Sequence, residues 1–311
     1  MSLIAFIGSL EIGLIFALVA LGVYISFRVV NFPDLTVDGS FPLGGAVVAT
    51  LLVAGWHPLA ATAAAFAAGA LAGLTTGWLH VKLKIMQLLA GILVMIALYS
   101  VNLRVMGKPN EPLLDTATVF TMVPAGLLPA PWVATVVLAV ITLAVKFALD
   151  RYFASEAGLA MRATGGNARM ARALGVSTDR LSLVALALSN GIVALAGALF
   201  AQSQGGADVS MGIGTIVIGL AAVIIGETLL PGRGMAIATL GCVIGAVLYR
   251  MLIALGLNSD FVGLKAQDLN LVTAVLVTLA LVMPAGKRLL ARRRRPASPA
   301  QSPQDKEASS C

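Results

Sequence analysis

The chain has 311 residues, 59% of them hydrophobic and only 11% charged, with a formal net charge of +7 and a mean hydropathy of +0.96. Ordinary soluble domains carry about 25% charged residues, so that class is excluded, and the positive charge reads as a membrane-orientation signal rather than a nucleic-acid surface. Cys242, inside an apolar run, and Cys311, at the terminus, are the only cysteines; they argue against a structural disulfide and exclude a four-cysteine zinc site.

A helix needs about 20 apolar residues to cross the hydrocarbon of a bilayer. The first span by that rule runs from Leu3 to Val30, with Glu11 inside it and Arg28 near its end; it has no basic n-region and no cleavage site, so it reads as a retained span. Asn31, Pro33, Asp34, Asp38 and Gly39 follow, too polar for lipid, and lead directly into a short apolar run, Phe41 to Gly55. A short span beside a polar break is the pattern of a discontinuous helix lining a cavity. The third span, Pro58 to His80, carries Gly69, Gly73 and Gly77 at four-residue spacing, a smooth face for close helix packing. A fourth follows to Asn102, then a polar, proline-rich stretch from Arg104 to Pro131 that contains Glu111 and Asp115, then a fifth from Trp132 to Leu149.

The stretch from Glu156 to Arg180 interrupts this alternation with Arg162, Arg169, Arg172 and Arg180 and the adjacent Gly165 and Gly166. Its second half has helix character from a cap at Asn167 to Leu174, with Gly175 where a helix would end. Beyond it come a sixth span (Leu181 to Phe200), a second polar break (Gln202 to Gly214), a seventh (Ile216 to Leu230), a tight Pro231–Gly234 turn, an eighth (Met235 to Leu255) carrying Arg250, and a ninth ending near Met283. Residues 286–311, with four consecutive arginines and too few apolar side chains to fold, read as a disordered basic tail. Lys82, Lys84, the arginines of 151–180, Arg233 and the tail fall on one side, Arg104, Lys108 and Lys265 on the other, which puts the Glu156–Arg180 loop in the cytoplasm. The fold expected is all-α: a polytopic helical membrane protein of about nine spans with two broken helices.

Asp38, Ser40 and Gly44 recur at a constant offset as Asp208, Ser210 and Gly214, each set preceded by a long span and followed by a Gly- and Ala-rich run. This predicts an inverted repeat, with copies at about 3–150 and 181–285 and a solute path at their interface. Asn31, Asp34, Asp38, Ser40, Asp208 and Ser210 are the candidate path residues. For Asp38 and Asp208 the alternative is that each caps the apolar helix that follows it. Glu227 and Arg250 are expected to be structural charges, paired with each other or with backbone. His57 and His80 lack partners for a metal site, no phosphate-binding glycine loop ending in Lys-Ser/Thr occurs, and no catalytic nucleophile arrangement is present.

The run Gly158, Arg162, Ala163, Gly165, Gly166, Asn167, Ala171, Gly175 resembles the ATPase-contacting loop of ABC importer permeases, in the family that serves branched-chain amino acids and ribose. Asn31–Gly44 and Leu88–Asn110 resemble a narrower branch, the permeases of tryptophan/tyrosine uptake systems. The resemblance implies a transport subunit that is not itself an enzyme, with 1–285 as the membrane domain and 151–180 as the coupling loop. It also implies ATP and Mg²⁺ held by cytoplasmic ATPase subunits, a second permease chain in a homodimer, an extracytoplasmic binding protein, and an amino-acid solute. The alternative from another class is an ion-coupled secondary transporter with Asp34, Asp38 or Asp208 titrating.

Overall fold

The computed structural model describes residues 3–114, 116–124, 129–232, 234–257 and 278. The expected ninth span apart from Thr278, together with Asp115, Arg233, Lys265 and the tail, lies outside these residues. Among the described residues six helices are long and apolar enough to cross a membrane and two more are apolar but shorter. The all-α reading holds. Among the described residues the one β feature is a ribbon of β1 (Asn110–Pro112) and β2 (Gly206–Asp208), paired antiparallel.

Helix α1 (Leu3–Tyr24) runs into a π-helical turn at Ile25–Val29. The chain then breaks at Asn31, which is left-handed at φ 56°, and α2 (Val37–Val53) begins. Its start lies earlier than the apolar run suggests: Asp38, Gly39 and Ser40 are helical, not part of the break. Pro42 cannot return a hydrogen bond to the Asp38 carbonyl, and Gly212 packs against that carbonyl instead. Helix α3 (Pro58–Leu83) opens with proline in its first turn, where the missing N–H costs nothing. Helix α4 (Gln87–Met106) ends on Gly107 at φ 70°.

After the ribbon's first strand comes α5 (Val133–Ala154), longer than the sequence suggests; within it Lys146 and Asp150 pair at 2.5 Å, and the Thr239 hydroxyl donates to Asp150 at 2.6 Å. Helices α6 (Glu156–Gly166) and α7 (Ala168–Ala173) follow, then α8 (Thr178–Gln204), α9 (Thr215–Leu229) and α10 (Met235–Leu257).

The core is a buried cluster of α1 residues, among them Ile15, Leu18 and Leu21, against Ile192, Val193 and Ala196 of α8 and Val223 of α9. The glycine face of α3 meets α8 as its spacing predicts: Gly69 lies against Asn190 and Ala194, Gly73 against Leu186 and Gly77 against Leu183, so the two helices run antiparallel. On α9 and α10, Gly226 meets Gly241 and Gly245 meets Ala222. Small residues let these backbones approach until dispersion contact is continuous, the force that holds helices together where lipid offers no hydrophobic gain.

A long, a short and a long helix occur twice in order, α1–α2–α3 and α8–α9–α10. Val30, just past α1, and Thr178, opening α8, line the same cavity at one end of the bundle, so these two helices run in opposite senses. The register read from D-x-S-x-x-x-G does not carry over. Gly44 is buried in mid-α2, facing the Ala194 carbonyl, whereas Gly214 is the turn residue before α9 at φ 81°. Gly44 and Gly214 are therefore not equivalent positions, and the three matched residues do not mark corresponding sites.

Candidate functional site

Two regions carry the candidate residues. The first is where the two short helices begin. Helix α2 starts inside the bundle and ends beside α4, where Thr50 donates to the Val105 carbonyl at 3.2 Å. Helix α9 also starts inside and runs to the opposite end, where Glu227 pairs with Arg28 at the end of the π-helical turn. Their N-termini meet, and Asp38 lies between them. Its carboxylate accepts from the Ile216 N–H at 2.7 Å and the Gly214 N–H at 3.3 Å.

Asp38 is therefore a helix cap, as its alternative reading had it, but it caps α9 and not its own helix. One carboxylate faces the positive ends of two helix dipoles. Asp208 caps no helix. It ends β2 and accepts from the Ser210 N–H at 2.7 Å and from the Ser210 hydroxyl, closing an Asx turn seven positions before α9 begins. Asp38→Ala should lower unfolding stability by about 0.5–2 kcal/mol. The check is thermal unfolding in detergent, with Asp38→Asn intermediate because an amide oxygen still accepts.

Below Asp38, Asp34 is fully buried; its carboxylate accepts from the Thr36 N–H at 2.9 Å and from the Asn190 side-chain amide at 2.6 Å. The Ser40 hydroxyl donates to the other end of the same amide at 2.7 Å. Nearby, Ser189 donates to the Gly22 carbonyl at 2.7 Å, and the Thr36 and Thr76 hydroxyls are 2.7 Å apart. Asn190 thus ties the broken segment after α1 and the first turn of α2 to the middle of α8. Sequence reasoning passed over it; the available signal was an uncharged amide in the centre of an otherwise apolar span.

The six candidate path residues separate accordingly. Asp38 and Ser210 line a cavity of about 430 Å³ together with Gly39, Pro42 and residues of α4. Asn31 lines a second, of about 520 Å³, with Arg28, Arg162 and Glu227 at the other end of the bundle. Asp34 and Ser40 are buried between helices, and Asp208 belongs to the ribbon turn. Glu227 and Arg250 do not pair with each other: Glu227 takes Arg28, and the Arg250 guanidinium lies 5.9 Å from the Phe16 ring centre.

The second region is α6–α7. Asn167 behaves as the sequence suggested, its side chain accepting from the Met170 N–H at 3.0 Å to open α7, and Gly175 takes φ 83° just after it. The preceding helix α6 was not foreseen. Ser155 caps it by accepting from the Gly158 N–H at 3.4 Å. Gly165 and Gly166 are helical and make no turn; the bend falls at Asn167, at φ −156° and ψ 93°. A Cβ at Gly165 would overlap the Val29 carbonyl, and one at Gly158 would overlap the backbone of Tyr152 and Phe153. These glycines let α6 lie directly on the π-helical turn and on the end of α5. Ala171 is buried beneath α7, whereas Arg162, Ala163, Gly166 and Asn167 are exposed. Leu159, Met170 and Leu174 are also exposed, at 52%, 60% and 71%. Arg172 of this region shares one end of the bundle with Lys84 and the start of α8.

Among the described residues, eight apolar helices, two of them short with meeting N-termini, and a basic helix pair at one end define a polytopic membrane protein. The family model described as "Branched-chain amino acid transport system / permease component" matches residues 6–285, and the chain belongs to that family. It is 38% identical over 265 residues to the tyrosine transport system permease protein of Clostridioides difficile (strain R20291), covering 85% of this chain and 86% of that one. It is 32% identical over 282 residues to the uncharacterized protein RP368 of Rickettsia prowazekii (strain Madrid E), covering 88% and 96%. To the ribose import permease protein RbsC of Escherichia coli (strain K12) it is 28% identical over 257 residues, covering 80% and 76%. No solved structure matches the chain. The protein is thus the permease component of an ABC-type transporter for a small solute and a multi-pass inner-membrane protein.

Proposed function

We propose that this chain imports an amino acid, aromatic such as tyrosine or tryptophan or else branched-chain, by ATP-driven alternating access. Two copies form the membrane part. Cytoplasmic ABC ATPase subunits hold ATP and Mg²⁺ and dock on α6–α7, and an extracytoplasmic binding protein delivers the solute. Residues 1–285 are the membrane domain, and 286–311 a basic cytoplasmic tail. The likeness to a tyrosine transport permease supports the solute class. The concentration of arginines and lysines at the α6–α7 end supports a cytoplasmic placement of that end.

One observation carries the coupling: the seating of Gly165 on the Val29 carbonyl. Because α6 touches backbone there, with no flexible side chain between, a push on α6–α7 moves the π-helical turn with it. That turn leads through the Asn31 break to Asp34 and Asp38, so the motion arrives where α2 and α9 meet. ATP binding need only favour one of two packed arrangements of these helices. Exposed Leu159, Met170 and Leu174 supply apolar contact for the ATPase, and Arg162 a charge for an acidic partner group.

Arg162→Glu, reconstituted with the ATPase and binding-protein partners, should lose more than about ten-fold of ATP-driven uptake, as expected for an arginine anchor at an interface. The chain should still be present in the membrane fraction. Wild-type uptake by this variant would remove the docking assignment. Uptake that follows an imposed ion gradient and survives ATP depletion would remove the ATP-driven reading altogether.

A further inference from the structure

The helical part of α1 packs directly on α9 and α10: Gly13 lies against Val247, and Gly219 against Val19 and Val23. At the π-helical turn this packing gives way. A cavity of about 520 Å³ opens there between the turn, α6 and the start of α10, and side chains cross it. The Tyr24 hydroxyl donates to the Met235 sulfur at 3.3 Å, and the Arg28 guanidinium pairs with the Glu227 carboxylate at the end of α9. Arg162, the third charged group lining the cavity, is in no ion pair among the described residues.

Each end of the Arg28–Glu227 pair stands on backbone that other backbone holds. Glu227 follows Gly226, where α9 lies directly on α10: a Cβ on Gly226 would overlap the Gly241 carbonyl, and one on Gly245 would overlap that of Ala222. Helices in such close contact shift as one body. Arg28 precedes Val29, whose carbonyl carries Gly165 of α6. The turn around it is closed by the Val30 N–H donating to the Ile25 carbonyl at 3.1 Å and the Phe32 N–H to the Ser26 carbonyl at 2.8 Å.

Resting on the coupling reading above, we propose that the Arg28–Glu227 ion pair is a tie that carries a push on α6 to the far end of α9, so that α9 and α10 shift together with α2. The chain itself leads from Val29 through Asn31 into α2. Glu227 is 199 positions along the chain from Arg28, and across the open cavity the movement passes between side chains. Arg28 and Glu227 are positioning residues, since neither lines the cavity at Asp38. Their side chains are partly exposed, at 54% and 31%, and such pairs add little to folding stability. A bias of that size still changes the balance between two packed arrangements several-fold.

The test uses the full permease reconstituted in proteoliposomes with its ATPase and binding-protein partners, with radiolabelled L-tyrosine, L-leucine and D-ribose as probes. The readout is solute taken up per ATP hydrolysed. Arg28→Gln and Glu227→Gln should each lower that ratio by roughly two- to five-fold, the bias a partly exposed ion pair supplies, while ATP hydrolysis continues. The exchanged variant, Arg28→Glu with Glu227→Arg, should recover most of the loss. Melting temperatures of all three should stay within about 4 °C of the wild type. An unchanged ratio in either single variant overturns the tie, and so does an exchanged variant no better than the singles. A lowered ratio with a larger drop in melting temperature assigns the pair to stability and overturns it too. A wild-type complex without any ATP-dependent uptake is a different failure: it removes the transport reading and this inference with it.

Discussion

Replacing Asn190 with alanine should lower the free energy of unfolding by about 1–3 kcal/mol, the cost of leaving a buried acceptor without its donor. The side-chain amide of Asn190 donates to Asp34 and its oxygen accepts from Ser40, all three groups being fully buried. Hydrogen bonds between membrane helices average only about 0.6 kcal/mol each, so the bonds alone would predict a small loss. The carboxylate decides the outcome. Without the amide, Asp34 keeps only the Thr36 groups of its own turn, in a place water does not reach. The measurement is equilibrium unfolding in detergent, and a double-mutant cycle isolates the cause. Asp34→Ala combined with Asn190→Ala should cost less than the sum of the two single changes. Additive costs would show that Asn190 acts through its own packing.

Gly73→Leu should be at least as damaging, at about 3 kcal/mol or more, the upper end of what overpacking a core costs. A Cβ at this position already overlaps the Leu186 carbonyl of α8. The obstacle is helix backbone, which cannot rotate away as a side chain can, so α3 and α8 must separate along the contact that also includes Gly69 and Gly77. Gly73→Ala should show a smaller loss of the same origin. Gly166→Ala provides the contrast, because nothing lies within 4 Å of a Cβ there; alanine's better helix propensity should leave stability unchanged or raise it by about 0.5–1 kcal/mol. Melting temperatures of the three variants in one detergent check the ordering. Equal losses at Gly73 and Gly166 would contradict close backbone packing as the cause.

How much of this was readable in advance depended on whether the information was local. The glycine spacing of α3 announced a helix contact because helical periodicity is a property of a few adjacent residues, although it did not name α8 as the partner. The Asn167 cap and the Gly175 turn were legible for the same reason: a cap is satisfied within three residues. Helix α6 was missed because the Gly165–Gly166 pair reads as a helix breaker by propensity. Its tertiary seat on Val29 reverses that reading, since only glycine permits the contact.

The residue pattern by itself determined the class of protein. Hydropathy and length select membrane-spanning helices, polar interruptions mark the two breaks, and the arginines of 151–180 mark the end at which α6 and α7 form. It also drew attention to Asp38, because a charge beside an apolar helix has few places to go. Only the tertiary structure decided what each polar group binds. Asp38 caps a helix 178 positions away along the chain, Asp34 answers to an amide 156 positions away, and Glu227 joins Arg28 instead of Arg250. Those pairings depend on which helices become neighbours and in which direction they run, and helix packing is settled by the shape of whole faces, which no short stretch of sequence contains.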